Sequence, residues 1–296
     1  MEEHRRLRRR YRLRRTLVAY GFLAPNLLFF GAFLIFPMGW LVWLTFQQGG
    51  VLGPPEFAAL DNWANVFGDR LVVKTIVNTL LYCAMAIPAV FVIAMIMALC
   101  LNAIPRGAVT IRSILYLPTL QPVLIAALMW TFVLHPDFGV LNVIARAVSG
   151  EPINFLGERG LALPTIAMIE VWRGVGFWTL LFLAGIVALP RELYYAAELD
   201  GAGPVRRFVQ LTLPLLKPTF YFAVIFATIV NLQLFDSVFV LTDGGPVNST
   251  ATVAWYIYRS LFAFGETGFG AALSLTLVAV VLLLTVIQTT LLRERR

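Results

Sequence analysis

The feature that most constrains this chain is the recurrence of apolar stretches long enough to cross a lipid bilayer. A hydrocarbon core about 30 Å thick takes about 20 apolar residues at about 1.5 Å of helical rise each. About six segments meet that demand, over residues 17–46, 75–101, 114–134, 163–189, 220–241 and 269–292. Inside lipid every backbone N–H and C=O must find a partner within the protein, so such segments fold as helices. Pro25, Pro37, Pro88, Pro118 and Pro122 fall inside them, where neighbouring helices can satisfy the freed carbonyls. Composition agrees: 59% of the 296 residues are hydrophobic and only 13% are charged, against about a quarter charged in a soluble domain. The expected class is an all-α membrane protein with about six transmembrane helices. The first stretch is too long for a cleavable signal and lacks a small-residue cleavage site before a soluble domain, so a retained helix is expected.

The net charge of +7 is explained by where the basic residues sit. With the N-terminus inside, Arg5, Arg6, Arg8, Arg9, Arg10, Arg12, Arg14 and Arg15 are cytoplasmic, followed by Arg106 and Arg112. Arg191, Arg206, Arg207, Lys217, Arg293, Arg295 and Arg296 then fall on the same side. The opposite side holds only Arg70, Lys74, Arg146, Arg159 and Arg259. That bias puts both termini in the cytoplasm of a multi-pass protein of the cell inner membrane. Residues 1–16 read as a basic cytoplasmic segment, 17–292 as the transmembrane domain and 293–296 as a cytoplasmic tail. The arginine run has only Tyr11 among its residues to stack on a base, so attraction to the anionic bilayer surface is expected and nucleic acid is not.

Chemistry-bearing residues are sparse. Cys83 and Cys100 lie too far apart on one helix to bridge, and His4 and His135 are isolated, so no metal site is expected. No nucleophile and base stand together in the sequence, so the chain reads as non-enzymatic.

The loop at 190–218 carries more information. Residues 191–200 suit a short helix, with Pro190 before and Gly201 after. A second helix is expected from Pro204, stopping at Pro214. Ala196-Ala197, Asp200-Gly201-Ala202, Phe208 and Leu213-Pro214 resemble the EAA loop of the permease subunits of binding-protein-dependent ABC importers. Tyr195 departs from that pattern, standing where the family usually has Glu. Thr242-Asp243-Gly244-Gly245-Pro246 resembles the T-x-G-G-P stretch of the sugar-type members. Leu60-Asp61-Asn62-Trp63 with Asn78-Thr79 is similar to their outer loop and second span.

The resemblance implies a pair of permease subunits around a central pathway, two cytoplasmic ATPase subunits and an external solute-binding protein. It implies that residues 193–203 form a coupling helix docked in an ATPase, with Tyr195, Ala196, Ala197, Glu198, Asp200 and Gly201 as the contact set. Glu198, on nearly the face of Tyr195, is expected to supply the charge that Tyr195 cannot. The chain holds no G-x-x-x-x-G-K-[ST] loop, nor any Gly-Lys pair, so ATP is expected on the partner subunits and no cofactor on this chain.

Polar residues within the spans are the candidates for the solute pathway. Glu170 and Arg173, at i and i+3, can pair. In the fifth span Asn231 aligns with Phe235 if the helix is continuous, giving an unpaired amide beside a ring, a set that suits a sugar. Gln233 and Asp236 occupy another face. Trp172, Phe177 and Trp178 read as packing residues. An ion-gradient-driven secondary transporter, or an intramembrane enzyme using Glu170 and Asp236, would fit the spans but leaves the loop at 190–218 unexplained.

Overall fold

The computed structural model describes residues 2–49, 56–104 and 107–292; Arg106 and the tail at 293–296 lie outside the described residues. Helix α1 (Glu2–Phe30) continues through a wide π-helical turn (Gly31–Ile35) into α2 (Phe36–Leu44). The widened turn ends just ahead of Pro37, whose ring crowds the carbonyl four residues back and whose nitrogen donates nothing. From Arg15 to Leu44 this first span keeps most side chains exposed, and α2 packs on the last helix.

A short antiparallel pair, β1 (Gln47–Gln48) and β2 (Glu56–Phe57), sets Gln47 opposite Phe57 and leads to α3 (Asp61–Gly68). The long α4 (Arg70–Ala103) starts where Asp69 caps it, its Oδ1 accepting the Leu71 N–H at 2.6 Å. The expected third span is not one helix. It divides into α5 (Ala108–Leu120) and α6 (Val123–Val133), bent by 93°. The cause is Pro122: the residue before a proline is driven out of the helical region, and Gln121 is extended at φ −72°, ψ 137°.

After α7 (Val140–Ser149), α8 (Arg159–Val187) forms the fourth span. The loop that follows holds α9 (Arg191–Leu199), α10 (Pro204–Arg207), a π-helical turn (Phe208–Thr212) and α11 (Leu213–Leu215). The second loop helix therefore runs past Pro214 and does not stop there. The Leu213 N–H reaches back to the Phe208 carbonyl, and this register shift accommodates the ring. The fifth span is also broken, into α12 (Lys217–Leu232) and α13 (Asp236–Leu241). Beyond them lie α14 (Val253–Tyr258), a third π-helical turn (Arg259–Ala263) and α15 (Thr267–Leu292). Among the described residues five helices are long and apolar enough to cross a membrane, or up to six with the bent pair as one.

The core is the seam between α4 and α8. Around the first half of α4, Tyr82 and Ala86 pack with Ile166, Ile169, Val238 and Leu273. Around its second half, Phe91, Ala94 and Ala98 pack with Trp178, Phe182, Ala223 and Ala227. Small residues allow the close helix approach that membrane packing depends on. Gly176 is the tightest case on α8, where a Cβ would stand 2.1 Å from the Leu115 carbonyl oxygen of α5. Trp178 is buried beside Phe91, and Trp172 meets Trp130 edge to face.

Candidate functional site

Two helix breaks meet in the middle of the bundle. Helix α6, which begins at Val123 just after the bend, packs against α13, which begins just after the interruption of the fifth span. Between them lies a recess of about 330 Å³. Glu170, Arg173, Asn231, Gln233, Phe235 and Asp236 all line it, together with Tyr82 and Ser237. They do not meet as a helical stripe. The helix ends at Leu232, and Gln233 (φ −98°, ψ 18°) and Phe235 (φ −130°, ψ −60°) are non-helical, so the expected alignment of Asn231 with Phe235 does not hold. The break itself brings the residues together.

Asn231 is not an unpaired amide. Its Oδ1 accepts the Tyr82 hydroxyl at 2.8 Å and its Nδ2 donates to the Ala227 carbonyl at 2.8 Å. One N–H and one oxygen lone pair remain for another partner. The Phe235 ring is half-buried against Phe239 and Tyr258, at centroid distances of 5.3 and 5.0 Å. Gln233 and Asp236 are exposed. An amide, a second amide and an aromatic face can bind hydroxyls and an apolar sugar face together.

Glu170 and Arg173 pair as the i, i+3 spacing predicts. Arg173 donates from Nη2 at 2.6 Å and from Nε at 3.2 Å, both to Glu170 Oε2. The Ser237 hydroxyl donates to the other carboxylate oxygen. The Glu170 side chain is only 8% exposed, and three donors to it offset the cost of burying its charge. Tyr82 and Ser237 escaped the sequence reading. Tyr82 had a usable signal, since Thr75, Asn78, Thr79 and Tyr82 fall at i, i+3, i+4 and i+7 and make one polar stripe on α4.

The loop between α8 and α12 is tied into one unit. The Ala202 N–H bonds the Ala197 carbonyl at 2.9 Å and the Gly201 N–H bonds the Glu198 carbonyl at 3.0 Å, with Gly201 at φ +74°. This is the Schellman closure of α9, and it needs a residue free to adopt the left-handed region. The Tyr194 hydroxyl meets Thr212 Oγ1 at 2.9 Å, and Arg207 pairs with Glu198 at 3.3 Å. The Glu198 charge is thus engaged within the loop. Tyr195 stays 62% exposed and Leu199 90% exposed. A second recess of about 410 Å³ lies against this unit, lined among others by Asn102, Arg191, Tyr195, Glu198 and Arg207.

The remaining motif residues serve as structural clamps. Asn62 Nδ2 donates to the carbonyls of Thr45 and Gln47 at 2.9 and 2.8 Å, holding α3 to the end of the first span. Asn78 Nδ2 donates to the carbonyls of Asn248 and Ala251, both at 2.9 Å, and Thr79 Oγ1 accepts the Val253 N–H at 3.2 Å. Asp243 accepts the Trp255 indole N–H at 2.8 Å and pairs with Arg259 at 3.5 Å. Among the described residues no group of His, Cys, Asp and Glu is placed to hold a metal.

A bundle of apolar helices with two broken spans around a polar recess, and a folded knob joining two spans, defines a multi-pass membrane transport subunit. The chain belongs to the family of binding-protein-dependent transport system inner membrane components, whose sequence profile matches residues 63–296. It is 32% identical over 281 residues to the sulfoquinovosyl glycerol transport system permease protein SmoG of Agrobacterium fabrum, covering 94% of this chain and 91% of that one. It is 31% identical to the trehalose/maltose transport system permease protein MalF of Thermococcus litoralis, over 96% of both chains. It is 33% identical to the sn-glycerol-3-phosphate transport system permease protein UgpA of Yersinia pestis, over 91% of this chain and 92% of that one. The fold matches a chain of the crystal structure of a bacterial alginate ABC transporter with a TM-score of 0.85, at 22% identity and 96% coverage of both. Membership in this family sets aside both the ion-gradient-driven transporter and the intramembrane enzyme.

Proposed function

We propose that this chain forms, with a second and paralogous permease subunit, the membrane pathway of an ATP-driven importer for a sugar or similar polar solute. The loop at 190–218 docks on one of two cytoplasmic ATPase subunits, which bind the ATP, and both termini lie in the cytoplasm. An external binding protein delivers the solute to the opposite face. One observation carries the pathway reading: beside Phe235, the recess at the two helix breaks gathers Glu170, Arg173, Asn231, Gln233 and Asp236, polar residues costly to place at membrane depth without a task. Asn231 and Gln233 offer hydrogen bonds to solute hydroxyls and Phe235 offers a ring face. The solutes named for the relatives include both neutral sugars and anions, so family membership leaves the charge class open.

The test is Asn231→Leu in the assembled importer. Solute uptake falls at least about tenfold, as removal of a buried polar contact worth about 1.5 kcal/mol or more implies, while the subunits still co-purify. An unchanged rate and solute preference would show that Asn231 only fastens α12 to Tyr82.

A further inference from the structure

The charges around the recess do not balance. Arg173 is the one cation among its lining residues, and its Nε and Nη2 are both turned onto a single oxygen of Glu170. Glu170 is in turn saturated by Ser237 on its other oxygen. The pair therefore presents little charge to anything entering the recess. Asp236 is different. It lies exposed at the start of α13 and has no ion-pair partner among the described residues. The other lining side chains are neutral. The recess as a whole carries one unmatched negative charge in a low-dielectric wall.

Resting on the pathway reading, we infer that this recess passes uncharged or cationic polyhydroxyl solutes and excludes anionic ones, with Asp236 setting the selectivity and Glu170 masking Arg173. Fields focused between low-dielectric walls act strongly on charged solutes and hardly at all on neutral ones. Carboxylates lining a narrow passage select against anions for the same reason that they do in channels. The arrangement also defines the change that would admit an anion. Freeing the Arg173 guanidinium from Glu170 exposes a planar, multi-donor cation suited to a phosphate, sulfonate or carboxylate.

The experiment reads the field directly. Gln233→Cys, in a chain also carrying Cys83→Ala and Cys100→Ala, is assembled with its partner subunits in membrane vesicles. It is treated in turn with the sulfonatoethyl, hydroxyethyl and trimethylammonioethyl methanethiosulfonates. Each rate is normalised to that of free mercaptoethanol. The cationic reagent is expected to react about tenfold faster than the anionic one. Asp236→Asn or Glu170→Gln, each removing one carboxylate charge, brings the ratio towards one, and the two together invert it by leaving Arg173 unopposed. A ratio at or below one in the parent, or a ratio indifferent to Asp236→Asn, overturns the charge inference. Failure of all three reagents to react shows instead that water does not reach Gln233, and the pathway reading falls with it. Equal uptake of a sugar and its phosphate ester by the unmodified importer also overturns the inference.

Discussion

Tyr256 shows how single side chains secure the outer loops. It lies in α14, outside the spans, and its hydroxyl donates to Asp69 Oδ2 at 2.5 Å, while Asp69 Oδ1 caps α4. Burial, then the hydrogen bond and charge of Asp69, then the charge of Glu266, push the phenol pKa well above its ordinary value. The folded state thus holds this proton more tightly than the unfolded chain does. The stabilisation is complete below about pH 10, where a free phenol begins to ionise, and is lost as pH rises further. Tyr256→Phe is expected to cost about 2 kcal/mol at neutral pH and to flatten the alkaline fall in melting temperature of the detergent-solubilised protein. An equally steep fall in the variant would show that this phenol is not the group responsible. At this scale the sequence was legible only where partners are neighbours. Glu170 and Arg173 sit three residues apart and could be paired from spacing alone. Asn231 and Tyr82 are 149 residues apart, and nothing local to either reveals the other.

Among the elements, α9 was the most readable, because its boundaries are set by residues with strong backbone preferences. Pro190 stands as the cap of α9 and Gly201 adopts the positive φ that ends it. A proline at Gly201 would fix φ near −65°, incompatible with the observed +74°. Gly201→Pro, and Asp200→Arg beside it, are expected to abolish solute uptake while leaving the spans inserted, since neither falls within a candidate span. Vesicle uptake and ATP hydrolysis measured together would check this, and normal uptake at wild-type coupling would remove the loop from the coupling role. The Tyr195 departure has a partial physical account: Glu198 does not stand free in its place but pairs with Arg207, an exposed contact of about 0.2–1 kcal/mol. The breaks were read unevenly. Pro122 stood in the sequence as a visible cause, although a single span over residues 114–134 was expected there. The interruption at residues 233–235 contains neither Pro nor Gly, so its cause is tertiary: buried Leu234 enters the core, and its carbonyl accepts the Thr252 hydroxyl at 2.7 Å.

At the scale of the whole molecule, apolar length alone specified the membrane bundle, but only packing decides where the two breaks meet. The α4–α8 seam is the fixed body, and α5 is docked on it through Gly176 and through Thr119 Oγ1, which donates to the Arg173 carbonyl at 2.8 Å. That hydrogen bond lies on the same residue whose side chain pairs with Glu170, two residues before the bend at Gln121. The position of α5 therefore bears on the recess through the backbone of Arg173, which lines it, while Pro122 makes the bend. Any side chain at Gly176 has to displace backbone of α5, since its first carbon would fall 2.1 Å from the Leu115 oxygen and 2.9 Å from the Tyr116 Cα. Backbone cannot yield as a flexible side chain can, so overpacking here carries its full cost of about 1–3 kcal/mol. Gly176→Leu is expected to lower the melting temperature of the solubilised protein and to reduce uptake more than the lost stability explains, because the recess opens as α5 moves off. Gly174→Ala is the control, since a Cβ there meets nothing nearer than 3.6 Å on Trp178. Wild-type melting and uptake in Gly176→Leu would show that α5 yields at this crossing and that its position does not bear on the recess.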